Sequence, residues 1–130
     1  MKKLSFLFAT ISIFATKLSA QNFYDRSTVQ TIEIFFSASN WDAQLDNLAA
    51  TTEGYLLADS VRINGTMFDS VGVKYKGNSS YNANNNKNPL HINLDYIHAK
   101  ADYQGYTSIK LQNGYQDPSM IREVLSYAVL

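Results

Sequence analysis

The sequence predicts an α+β fold, mainly antiparallel sheet with a short N-terminal helix and a C-terminal helix. Short runs such as Leu90, Ile92, Leu94 and Tyr96 alternate apolar with polar residues, the pattern of strands with one buried face. Asn64-Gly65, the dipeptide best suited to a tight type I′ turn, joins two such runs into a hairpin. Helical spacing of apolar residues occurs around Trp41–Ala49 and again after Asp117.

Val29–Phe36 opens the sheet, with Ile32, Ile34 and Phe36 on one face and Thr31 and Glu33 on the other; Phe35 breaks the alternation. Ser39 and Asp42 form a capping-box-like pair ahead of a helix whose Trp41, Leu45, Leu48 and Ala49 share a face, so packing through Trp41 is expected. Tyr55–Ile63 and Thr66–Lys76 are the hairpin strands, and counting outward from the turn places Val61 opposite Phe68. Val71, Val73 and Tyr75 then have the wrong parity for the core, and a bulge near Asp69-Ser70 would restore it.

Leu90–Tyr96 and Thr107–Gln112 are the remaining strands, with turns around Asp102, Gly105 and Asn113-Gly114. Asp117 suits an N-cap and Pro118 a first helical position, and Ile121, Val124, Leu125 and Ala128 then form a stripe. The sequence stops at Leu130 without a C-cap, so a piece of a longer chain is expected.

Residues 1–20, MKKLSFLFATISIFATKLSA, place two lysines before a short apolar stretch and small residues, the form of a secretory signal peptide. Export is expected, to a periplasmic, cell-surface or extracellular location, with residues 21–130 as the mature chain. The stretch is short for a bilayer span of ~20 residues and Lys17 interrupts it, which argues against a stable membrane anchor. Removing it leaves eight basic against eleven acidic residues, a net charge of −3. That balance argues against nucleic-acid binding. No cysteine is present, so neither a disulfide framework nor a thiolate metal site contributes.

Charge is uneven along the mature chain. Asp25 to Asp59 carries six carboxylates against Arg26 alone, whereas Ser70 to Leu94 contains Lys74, Lys76 and Lys87 and no carboxylate. Within that basic stretch, Lys76-Gly77-Asn78-Ser79-Ser80 combines an ammonium, a residue that permits close backbone approach, and amide and hydroxyl donors, a composition suited to an anion such as phosphate. A solvated strand end running into a disordered Asn-rich loop is the competing reading. His91 and His98 are isolated and point to no metal site, and the nine tyrosines read as half-buried sheet residues.

Several segments, "FYD", "RINGTMFDSVGVKYKGNSS", "NPLHINLDYI" and "LQNGYQDPSMIREVLSYAVL", together resemble the opening of the spore-coat protein H (CotH) kinase family, from about Phe23 to Leu130. The resemblance implies the N-terminal part of an atypical protein-kinase-like fold that uses ATP and Mg²⁺ to phosphorylate serine-rich protein. The aspartates expected to hold metal and activate the acceptor hydroxyl would lie beyond Leu130, so no catalytic residue and no metal ligand is assigned within this sequence, and a fragment inactive alone is expected.

On that reading Lys76, Gly77, Asn78, Ser79 and Ser80 form a phosphate cradle, with Lys87 reaching back across the loop. Asn88 stands where family members often carry a second lysine. Glu123 is a candidate partner for a phosphate-binding lysine, but its helical-wheel position equally suits a solvated side chain; Arg122 is a candidate for phosphate or carboxylate contact. Neither G-x-G-x-x-G nor G-x-x-x-x-G-K-[ST] occurs. A secreted adhesion or carbohydrate-binding β-rich module without catalysis is the alternative function.

Overall fold

The computed structural model describes residues 22–85, 87–119 and 121–129. The expected signal peptide lies outside them. Five strands, β1 (Ile32–Phe35), β2 (Leu56–Ile63), β3 (Thr66–Tyr75), β4 (Leu90–Asn93) and β5 (Ser108–Leu111), form one sheet in that order. Every neighbouring pair is antiparallel. The helix α1 (Trp41–Thr51) links β1 to β2 and packs on β2 and β3, and α2 (Arg122–Val129) ends the described chain.

The hairpin between β2 and β3 follows the sequence closely. Asn64 and Gly65 both have positive φ, 47° and 88°, as a type I′ turn requires, and Val61 pairs with Phe68. Asn64 also holds the turn to its surroundings: its Oδ1 accepts from Thr31 N at 2.9 Å, and its Nδ2 donates to Gln30 Oε1 at 2.6 Å.

The expected bulge is replaced by a different device. Ser60 pairs with Asp69 and Ala58 with Val71, so no extra residue enters either strand. Ser70 instead adopts a φ of 57°, and it and Asp59, which would lie opposite, are the unpaired positions. Both strands change face at that level. Val61, Ile63 and Phe68 above it, and Ala58, Val71 and Val73 below it, therefore all reach one core.

That core also takes Ile92 and Leu94 from β4 and its end, and Ile109 from β5. Its larger members Val61, Ile63, Val71, Val73, Ile92 and Leu94 are fully buried, each worth about 1.5–3 kcal/mol relative to exposure. Phe23 joins them edge-on to Tyr103, with ring centroids 5.4 Å apart, while its N–H donates to Gln104 Oε1 at 2.8 Å. The segment before β1 is thereby held against the β4–β5 connection.

Three further expectations are corrected. β1 spans only Ile32–Phe35 and β5 only Ser108–Leu111. The N-cap of α1 is Asn40, with no side-chain cap bond, and the Ser39–Asp42 capping box does not form. Asp42 accepts the Tyr75 hydroxyl instead, a hydrogen bond to a partly buried group that local capping would forfeit. Leu45, 1% exposed, seats the helix, while Trp41 stacks on Phe36 and remains 37% exposed.

The C-terminal segment departs most from expectation. Asp117 folds a turn, its carboxylate accepting from Ser119 N at 3.1 Å and Arg122 N at 2.9 Å, so α2 starts at Arg122 and not beside Pro118. Ile121 and Leu125 are more than half exposed, and among the described residues α2 packs against no other element. The packed body therefore contains a single helix, α1.

Candidate anion site

β3 ends at Tyr75, and the following loop is shaped by its own polar side chains. Lys76 N donates to Pro89 O at 3.0 Å, closing the loop at its base. Gly77 then turns the chain with a φ of 90°, and a Cβ there would collide with the Ser80 hydroxyl. Only glycine meets both demands.

Hydrogen bonds tie together the described asparagines of the loop. Asn88 Nδ2 donates to Asn82 O at 3.1 Å and Asn85 O at 2.9 Å, while Asn88 Oδ1 accepts from Asn82 N at 3.0 Å. Asn113, beyond β5, clasps both sides of the loop through its Nδ2, to Ser80 O at 2.9 Å and Lys87 O at 3.1 Å. Asn88 thus serves loop shape.

Between this loop and the end of α1 lies a cavity of about 230 Å³, lined by Ala49, Glu53, Lys74, Tyr75, Lys76, Gly77, Asn78 and Tyr81. Lys76, Gly77 and Asn78 of the expected cradle meet there. Ser79, Ser80 and Lys87 do not line it. Ser80 packs under Gly77, and its carbonyl, like that of Lys87, is held by Asn113. Arg122 is directed to Asp117 at 3.7 Å and to Gln116 O at 3.1 Å, away from the cavity lining. The side chain of Glu123 lies outside the described residues.

Lys74 belongs to the lining although the sequence reading did not include it in the cradle. The signal was its spacing: Lys74 lies two residues before Lys76, which in extended chain puts both side chains on one face. Its Nζ donates to Glu53 O at 3.1 Å and lies 4.8 Å from the Tyr55 ring centroid. Glu53 is the carboxylate of the lining, and no ion pair joins it to these lysines among the described residues.

Two tyrosines fix the cavity wall to α1. Tyr75 donates to Asp42 and Tyr81 donates to Asp46 Oδ1 at 2.8 Å, the two aspartates lying one helical turn apart. Burial, then these carboxylates, push the Tyr81 hydroxyl up to about 12 and that of Tyr75 higher still. Both therefore remain protonated donors at neutral pH. His91 is pushed down, first by burial and then by the charges of Lys110, Lys74 and Lys76, which records a positive field on this side of the sheet.

A second, larger cavity of about 330 Å³ is lined by Ile34, Phe35, Phe36, Trp41, Leu45, Val73 and Leu90, with no charged side chain, and offers nothing to an anion. Among the described residues no three His, Asp or Glu side chains gather as metal ligands. No described helix is long and apolar enough to cross a membrane. The smaller cavity is lined by side chains that can donate to an oxyanion, Lys74, Lys76 and Asn78.

The chain is similar, over residues 73–130, to the family described as CotH kinase protein, a match consistent with a partial domain of that family. The match starts within β3, so it includes Lys74, the whole clasped loop, β4, β5 and α2. It is narrower than the resemblance drawn from about Phe23, leaving β1, α1, β2 and the hairpin turn outside. No curated protein and no solved structure matches the chain.

Proposed function

We propose that this chain is the N-terminal part of an exported atypical protein kinase of the CotH type, and that its smaller cavity receives the phosphates of ATP. One observation carries the reading: Lys74, Lys76, Gly77 and Asn78 meet in one cavity, on a loop folded by its own asparagines, inside the stretch that matches the family. Phosphoryl transfer demands neutralised, fixed phosphate oxygens more than it demands covalent chemistry from the protein. Two ammonium groups and an amide donor fit that demand.

Lys76 and Lys74 would neutralise phosphate charge, Asn78 would donate to an oxygen, and Gly77 would let the backbone approach without a side chain in the way. The bonds from Tyr75 and Tyr81 to α1 would keep this wall from yielding when a ligand binds. Mg²⁺, when bound, would offset the remaining phosphate charge; the described residues offer no ligand set for it, so no step is assigned to it here. The phosphate acceptor is proposed to be serine-rich protein outside the cell. The alternative glycan-binding reading rests on exposed rings such as Tyr24, Tyr96, Tyr106 and Tyr115, and none of these lines either cavity.

The test is label transfer from γ-labelled ATP with Mg²⁺ to a serine-rich acceptor, using the full-length protein beside its Lys76→Ala variant. Transfer that falls at least tenfold in the variant is expected. Equal transfer by both proteins would remove Lys76 from the site, and no transfer by either would remove the kinase reading.

A further inference from the structure

Beyond the cavity, the open face of β3–β5 carries a row of basic residues. Lys74 pairs across the sheet with His91, and His91 pairs with Lys110, so the three side chains stand side by side on the face opposite the core. Neighbouring strands lie about 4.8 Å apart, giving the row a length of roughly 10 Å. Lys76 continues it toward the cavity. His91, pushed toward its neutral form, stands between the two ammonium groups of Lys74 and Lys110, which share one sign across it.

Among the described residues, Lys74, Lys76 and Lys110 form no ion pair. Lys74 is held by the Glu53 carbonyl. His91 is fixed by Tyr55, whose hydroxyl lies 3.1 Å from Nδ1, and the rings of Tyr55 and Tyr96 lie 5.3 Å apart. Tyr96 presses on Gly72, where a Cβ would lie 2.6 Å from its Cγ. The row is thus held in place and flanked by aromatic rings, with Lys74 and His91 half-buried and Lys110 exposed at its end.

We propose that this row docks an extended protein segment bearing phosphoserines. An open strip suits a chain and not a compact ligand, and phosphate oxygens suit paired ammonium groups. Phosphoserines two residues apart on an extended segment are about 7 Å apart, within reach of both Lys74 and Lys110. The choice of phosphoserine rests on the proposed kinase activity: the product of one transfer would stay bound and bring the next serine toward the cavity. Multiply phosphorylated product would accumulate before singly phosphorylated product is released.

The test is fluorescence anisotropy on the full-length protein, without ATP, using a labelled serine-rich peptide with phosphoserines at alternate positions and its unphosphorylated twin. The phosphopeptide is expected to bind at least tenfold tighter, and Lys110→Gln to weaken it about fivefold, the upper scale of one exposed ion pair. Lys100→Gln removes the same charge from an exposed position outside the row and should change nothing. Should Lys110→Gln fail to fold by circular dichroism, Lys110→Arg must bind as the parent does.

Equal binding of both peptides, or equal losses in the Lys100 and Lys110 variants, would overturn the proposal. So would complete displacement by ATP with no effect of Lys110→Gln, since the phosphates would then sit in the cavity alone. Failure here leaves label transfer from ATP unaffected, so the failure of this proposal is distinguishable from failure of the kinase reading.

Discussion

Replacing Gly77 by alanine tests the loop geometry through two separable costs. At a φ of 90° an L-residue meets its own carbonyl, a penalty of about 1–2 kcal/mol. The new Cβ also collides with the Ser80 hydroxyl, which must leave its rotamer at a cost of about 1 kcal/mol. Together these give roughly 2–3 kcal/mol of stability, read by urea denaturation as a lower midpoint with an unchanged slope. ATP affinity should fall in the same variant, since Lys76 and Asn78 flank the displaced residue. Adding Ser80→Ala removes the collision and should return about 1 kcal/mol while leaving the backbone cost in place. A Gly77→Ala protein as stable and as competent for ATP as the parent would refute the loop geometry.

Asn113→Asp keeps the side-chain shape but removes both donors to Ser80 O and Lys87 O, costing about 2 kcal/mol; hydrogen exchange should accelerate at loop amides between 78 and 88 while β2 and β3 stay protected. Tyr81 ionises near 10 when unfolded and at about 12 in the fold, so its contribution is intact below pH 10 and is lost as pH rises through about 12. Tyr81→Phe should flatten that alkaline loss in a pH series of melts, and an unchanged slope would discount its bond to Asp46. For His91 the order is reversed. Its folded value lies below the unfolded 6.5, so its contribution is complete above that value and declines as pH falls through the folded one; His91→Gln should be less sensitive to acid.

Much of the sheet was legible because strand pairing next to Asn64-Gly65 is a local matter. The turn fixes the register of Val61 with Phe68, and alternation in Leu90–Leu94 fixes which face of β4 is buried. The face change at Ser70 was legible only as a parity conflict. A one-strand bulge is the simplest remedy for it, whereas the fold shifts β2 as well, through Asp59, and keeps the pairing one to one.

At the site, Lys76, Gly77 and Asn78 were readable because they are contiguous. The partners that order the loop were not, since Asn113 lies 33 residues from Ser80 and nothing in local spacing links them. Trp41 looked like the anchor of α1 by size, yet Leu45 sits at the centre of its buried face and Trp41 at its edge. Arg122 was drawn toward the site by its proximity in the motif, but Asp117, five residues earlier, claims it locally.

The most direct test of the phosphate site is an amide chemical-shift titration of the isotope-labelled chain with Mg²⁺–ATP. The amides of Lys74, Lys76, Gly77 and Asn78 should shift saturably and together, with those of Ile34, Trp41 and Leu45 around the apolar cavity unmoved. Shifts concentrated at the apolar cavity or along α2, with Lys76 and Gly77 silent, would contradict the assignment of the clasped loop as the place where nucleotide phosphate is held.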